Sequence, residues 1–165
     1  MIRPALWTLA LGIAVGGAAA CDTTTSPTAP TTTLTATLSD ALVRAIQDEY
    51  RAEAIYQGVL NDFGLVVPFA NVLTAEERHS AAIGRLYANR GTAVPASTWS
   101  VDTVPHFSGI VAACAAGIVA ERENIAIYDD LLRGDLPDDV RQVFSSNRRA
   151  SLENHLPAFE RCAQP

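Results

Sequence analysis

The chain has 165 residues, twelve basic against eighteen acidic, and a formal charge of −6. That length fits one domain whose core needs no staples, and 48% hydrophobic against 18% charged residues excludes a disordered acidic chain. An acidic balance with no lysine at all excludes the basic face of a nucleic-acid binder, and no apolar run after residue 21 approaches the ~20 residues of a membrane span.

Residues 1–20, MIRPALWTLALGIAVGGAAA, have the layout of a secretory signal peptide: Arg3 as a short basic region, an apolar stretch from Leu6 to Val15, then small residues. Ala18-Ala19-Ala20-Cys21 resembles the bacterial lipobox, in which the cysteine is acylated and becomes the new N-terminus. The alternative is an ordinary signal peptide followed by a chance cysteine. Residues 21–37 are rich in Thr and Pro, with Leu34 the one large apolar side chain, so they read as an extended tether. The expected location is therefore the cell envelope, on the periplasmic side or the cell surface, with a lipid anchor at Cys21.

Residues 38–165 read as one all-α domain of four helices. Ser39 is a good N-cap for helix A, which runs to about Phe63 and stops at Gly64. Helix B starts near Pro68 and ends near Asn89. Helix C starts near Pro105 and ends near Arg133; helix D runs from about Pro137 to Cys162. Short links join A to B and C to D, as in antiparallel hairpins. The B–C link, Thr92 to Val104, can span the ~33 Å length of helix B and so make B and C parallel. A surface loop of the same length is the competing reading.

Steps of four and three residues trace the inner face of each helix. Helix A gives Leu42, Ile46, Glu49, Glu53, Tyr56, Leu60 and Phe63; helix B gives Phe69, Val72, Glu76, His79, Ile83 and Leu86. Helix C gives Phe107, Val111, Cys114, Ile118, Glu121, Ile125, Tyr128 and Leu132. Helix D opens with Val140 and Phe144, is interrupted by Asn147, Arg148 and Ser151, and closes with Leu152, His155, Phe159 and Cys162. Each stripe is apolar at its ends and carries Glu or His in its middle. The halves also repeat: a shift of 72 lays Ile46, Glu49 and Tyr56 on Ile118, Glu121 and Tyr128, and a shift of 76 lays His79 on His155.

Buried ionised carboxylates are costly, and several together repel; a divalent cation reverses that sign. Glutamate oxygen with imidazole nitrogen suits iron, manganese or zinc rather than a thiolate site. Glu76 and His79, three residues apart, share one face and can bind one ion. The competing readings are a hydrogen-bonded core histidine, and a metal-free ionic network in which Arg148 pairs with a carboxylate. Tyr56 and Tyr128 read as core aromatics.

Cys114 and Cys162 are expected to form a disulfide. With Cys21 acylated they are the remaining thiols, in a compartment outside the reducing cytoplasm. Cys114 lies seven residues before Glu121 and Cys162 seven after His155, so on antiparallel helices both sit two turns out on the same side. Two separate buried cysteines are the alternative, and Pro157 threatens the pairing by kinking helix D.

On these residues the chain resembles the ferritin-like superfamily. EYRAEAIY (49–56) resembles its first-helix ExxAxxxY pattern, EERH (76–79) its ExxH, and ERENIAIY (121–128) its third-helix counterpart. Residues 38–162 look most like an uncharacterised bacterial ferritin-like family with a similar NHLxAF run, here Asn154 to Phe159. The resemblance implies a ferritin-like four-helix bundle with one long crossover between helices B and C. It implies a mono- or di-metal site of Glu49, Glu76, His79, Glu121 and His155, and an oxidoreductase of di-iron type. Leu152 stands where the family carries a bridging carboxylate; Glu53 is the candidate replacement, while Ser151 and Glu153 point elsewhere on the helix. The Glu76/His79 hairpin is then expected to bind metal more tightly than the His155 side. The expected function is Fe(II) oxidation or reduction of peroxide or O₂ outside the cytoplasm. The alternatives are a non-catalytic metal-binding protein and a metal-free envelope interaction module. The oligomeric state is open, a dimer included.

Overall fold

The structure, a computed structural model, describes residues 34–164; the signal peptide expected at 1–20, Cys21 and nearly all of the tether lie outside them. Helix α1 spans Ala36–Phe63, a turn earlier than Ser39 predicts. Thr35 is the N-cap, its Oγ1 accepting from the Leu38 N–H at 3.2 Å. The extra turn brings Leu38 into the core, where burial outweighs the propensity signal at Ser39. Gly64, at φ 81, ends α1. Helix α2, Phe69–Ala88, follows after five residues.

The link from α2 to α3 is longer than expected, because α3 begins at Ile110 and ends at Leu131. Pro105 lies in the link and does not start the helix. The link packs first on α2 and then along α1. Val94 packs on Gly84; Gln47 accepts from the Thr98 N–H (3.0 Å) and hydroxyl (2.7 Å) and donates to the Ala96 carbonyl (2.8 Å). A 3-10 turn at Val101–Thr103 follows, Val104 is buried beside Gly58, and His106 pairs with Asp62 at 2.7 Å near the end of α1. The chain thus travels from the C-terminal end of α2 back to its N-terminal end, and α3 runs parallel to α2. The competing reading of the link as a loose surface loop is excluded.

Helix α4 spans Asp138–Ala150 and opens on Asp138 and Asp139, favourable at a helix N-terminus. It passes into a π-helical turn, Ser151–His155, and then into α5, Leu156–Cys162. The Leu156 N–H bonds back to the Ser151 carbonyl, five residues away. Pro157 follows directly; it has no N–H to close an ordinary bond to Glu153, and the widened turn sits at that point. Together α4, the π turn and α5 form the fourth helical rod. The described residues are all helical, without strands, and none of their helices is long and apolar enough to cross a membrane.

Two apolar clusters fill the space between the rods. One gathers Leu42, Ile46, Ile83, Tyr128 and Phe144; the other gathers Tyr56, Phe69, Cys114 and Phe159. The second needs Gly117: a Cβ there would stand 2.7 Å from the Phe159 ring, so only glycine admits it. Cys114 and Cys162 stand at disulfide distance, Cα to Cα 5.7 Å, and Pro157 does not carry Cys162 away. The predicted stripe holds for α2, and on α1 for Leu42, Ile46, Glu49 and Tyr56, while Glu53, Leu60 and Phe63 are half-buried. On α3 the buried edge is rotated toward Gly117, Ala120 and Asn124, leaving Val111 exposed and Ile118 and Ile125 half-buried. On the fourth rod the inward residues are Val140, Phe144, Asn147, Ser151, His155 and Phe159, and Leu152 faces out.

Candidate metal centre

Between the two apolar clusters lies a polar layer to which every rod contributes, α2 twice. Glu49 comes from α1, Glu76 and His79 from α2, Glu121 from α3 and His155 from the π turn; all five are buried. Glu76 stands between the imidazoles. Its Oε2 lies 2.8 Å from His79 Nδ1 and its Oε1 lies 3.0 Å from His155 Nδ1. Glu49 Oε2 is 3.5 Å from His79 Nδ1, and Glu121 Oε2 is 3.4 Å from His155 Nδ1. The imidazoles stack with centroids 5.4 Å apart. Two triads result, Glu49/Glu76/His79 and Glu76/Glu121/His155, each with its ligand atoms within 4.8 Å of one another and sharing Glu76.

The outer carboxylates are held by tyrosines in a crossed pattern. Tyr56 on α1 donates its hydroxyl to Glu121 Oε1 at 2.6 Å, and Tyr128 on α3 donates to Glu49 Oε1. Asn147 donates to the Tyr128 oxygen at 3.0 Å and to Glu49 Oε1 at 3.4 Å. Each outer glutamate therefore has one oxygen satisfied. Its other oxygen, Oε2, is buried with no donor and aims at the centre, and His155 Nδ1 is likewise without a conventional partner. A buried carboxylate oxygen without a donor is costly. A cation in each triad relieves the one such oxygen that triad holds, so the residues fit a divalent metal at each.

The electrostatics tell the same story in protons. Burial and the neighbouring Glu76 push the Glu49 carboxyl up to about 7 despite His79. Burial alone would depress the His79 imidazole, but Glu49 and Glu76 overcome it and lift it to about 10. His155 follows the same logic, with burial opposed by Glu121 and Glu76, and rises to about 9. The carboxylates attract whatever positive charge is present, and protons on the imidazoles are the substitute for metal.

Four sequence expectations change. Glu53 stands outside both triads. One turn beyond Glu49, it is half-buried beside Ser80, and burial followed by nearby carboxylates raises its carboxyl. Arg148 pairs with Asp129 at 2.6 Å on the surface, so it plays no part in the buried charges. Ser151 does not point elsewhere: it is fully buried and donates to Asn124 Oδ1 at 2.9 Å, while Asn124 donates to Asp48 Oδ2 at 2.9 Å. Finally, Glu76 reaches both imidazoles, so the two halves have equal donor sets and the expected asymmetry is not in the ligand count. Tyr56, Tyr128 and Asn147, which hydrogen-bond the outer glutamates, are contacts that periodicity missed. The tyrosines looked apolar in phase, yet their 72-residue repeat beside the repeating glutamates was a signal.

Compared with protein-family models, with curated proteins and with solved structures, the chain matches none.

Proposed function

We propose that the chain is a ferritin-like four-helix bundle holding two divalent metal ions, iron foremost, with manganese or zinc as alternatives, at the mid-bundle centre. It uses them in redox chemistry, Fe(II) oxidation or the reduction of peroxide or O₂, outside the cytoplasm and tethered by a lipid on Cys21. The observation that carries this reading is the pair of buried, donorless oxygens, Glu49 Oε2 and Glu121 Oε2, aimed at two imidazoles with Glu76 between them. The hairpin–crossover–hairpin path and the resemblance of residues 49–56, 76–79 and 121–128 to the ferritin-like pattern support it.

Glu49 and His79 would hold one ion, Glu121 and His155 the other, and Glu76 would bridge them. Bound iron or manganese would exchange electrons with peroxide or O₂, whereas zinc would hold the fold without redox chemistry. The tyrosine hydroxyls fix the outer carboxylates through Oε1 and leave Oε2 free to ligate. The apolar clusters above and below exclude water and keep the charges strong.

One observation favours a second reading, a non-catalytic metal-binding protein: with Leu152 exposed, the donor set holds three carboxylates and no second bridge. Metal analysis of the chain purified under iron, manganese and zinc supply tests both. Stoichiometric metal with oxidation of Fe(II) or consumption of peroxide supports the enzyme, and metal without turnover supports the binder. Absence of metal under every supply sinks both and leaves the metal-free envelope module.

A further inference from the structure

Beyond the π turn the fourth rod draws away from α2. Helix α2 packs on α4 but makes no comparable contact with α5. The reason lies in the facing residues. Ala75 on α2 and Ala150 and Ala158 on the rod line the space between them, and these small side chains leave a cleft of about 440 Å³ where larger ones would close it. Its inner wall is the pair His79 and His155, so the cleft reaches the metal centre from the side of the imidazoles.

The charge of this cleft is opposite to that of the chain. In a protein with eighteen acidic residues, no Asp or Glu lines it. Besides the two imidazoles, its polar groups are Arg78, Asn71 and Asn154. Among the described residues, no carboxylate stands within ion-pair distance of Arg78. An adjoining hollow shares Pro68, Asn71 and Ala158 and adds a second guanidinium, Arg161. On the other side of α2, by contrast, the hollow beneath the crossover is lined by Glu53 and Glu77. The hollows on the two sides of α2 thus differ in sign.

The geometry points to the α2–α5 cleft as the binding site for a small oxyanion, an organic carboxylate or a phosphate, anchored on Arg78 with its far end at the imidazoles. A planar guanidinium holds either anion through paired charge-assisted hydrogen bonds, and the alanines beside it suit a short apolar body. Resting in part on the metal reading, the assignment also meets a need of that site. Two dications against three carboxylates leave one positive charge uncompensated, and an anion entering past His79 and His155 supplies the balance that a second bridging glutamate would otherwise give.

The test is calorimetric titration of the purified full-length chain, loaded with redox-inert zinc, with inorganic phosphate and separately with acetate. Saturable binding of either is expected. Arg78→Ala should weaken it about tenfold or more, while Arg78→Lys restores part of it and zinc stoichiometry stays that of the parent. Arg78 is exposed, so its replacement leaves the core intact. Which anion binds tells phosphate from carboxylate. Binding of neither, or equal binding in parent and Arg78→Ala, overturns the proposal. If zinc itself fails to load, the metal reading falls; the same titrations on the zinc-free chain then judge the cleft alone, with Arg78-dependent binding upholding it.

Discussion

The first hairpin, α1 with α2, and the second, α3 with the fourth rod, place a glutamate and a histidine at the same depth by different routes. In α2 the buried positions Val72, Glu76, His79 and Ile83 advance by four, three and four, the rhythm of an ordinary helix. In the fourth rod Asn147, Ser151, His155 and Phe159 advance by four throughout. A step of four overshoots a 3.6-residue turn by about 40°, so three in a row would carry the face off the core. The π turn absorbs the surplus residue. One consequence is that the inward position a turn before His155 is Ser151, which bonds to Asn124, and Leu152 is a surface residue. The second hairpin has not exchanged a ligand for leucine; it has spent that position on a hydrogen bond to its neighbour. The disulfide, also confined to the second hairpin, closes the end of the rod beside the hollow that adjoins the cleft.

If Glu76 alone bridges the hairpins, its loss should erase the difference between them. Glu76→Ala is expected to abolish binding of both ions, and Glu121→Ala only of the second, as read by metal content after dialysis. Retention of one ion in Glu76→Ala would show that each triad holds metal without the bridge.

The next largest effect separates the hairpins in stability. Replacing Cys114 and Cys162 together by Ser removes a 48-residue closure. It should cost about 4 kcal/mol by loop-closure entropy. Denaturant unfolding of the chelated protein, with and without the replacement, measures it. A loss well under 1 kcal/mol would mean that the second hairpin is held by packing alone.

The crossed tyrosines allow each hairpin to be weakened from the other. Tyr56→Phe strips a donor from Glu121, and Tyr128→Phe strips one from Glu49. Each should weaken metal at the opposite hairpin's glutamate by about tenfold to a hundredfold. Tyr128→Phe should be the milder, because Asn147 also reaches Glu49. Equal small losses at both ions would place the tyrosines in packing only.

The protonation of the metal-free centre predicts opposite pH trends with and without metal. His79 and His155, raised from 6.5 to about 10 and about 9, contribute stability that is complete below pH 6.5 and lost as pH rises through those values. Glu49, raised from 4.5 to about 7, adds a further loss as pH rises through that range. Metal needs these groups deprotonated, so its stabilisation grows with pH. The gap in melting temperature between loaded and chelated protein should therefore widen steadily from pH 6 to pH 9. A constant gap would place the bound metal elsewhere.

Much of this arrangement was legible in the residues. The α2 stripe, the direction of the crossover, the two halves and the Cys114–Cys162 pairing follow from spacing, because helices with one buried face obey a fixed period. All five of Glu49, Glu76, His79, Glu121 and His155 come together as the stripes place them. What spacing missed has a physical cause in each case. The π turn shifts the period after Ala150, so Ser151 rather than Leu152 faces inward. Asn124 sits one step around α3, where Gly117 lets the helices approach and rotates the buried edge. The tyrosine hydroxyls act at the tips of side chains whose rings sit in the apolar clusters, so a count of apolar positions sees the ring and not the donor.

The smallest effect is the sharpest test of why the hairpins differ. On a regular helix, Leu152 lies three residues before His155, as Glu76 lies three before His79, and Leu152→Glu would rebuild the missing carboxylate. The π turn instead leaves Leu152 39% exposed and turned away from the centre. A glutamate there meets water, adds no ligand and should change stability by no more than about 0.5 kcal/mol. Metal stoichiometry and affinity of Leu152→Glu should match the parent. Deleting one residue within the turn should restore the ordinary phase, and only in that background should the new glutamate tighten binding. Tighter metal binding in Leu152→Glu alone would show that the rod straightens when offered a ligand, and that the contrast between the hairpins is set by the missing carboxylate rather than by the turn.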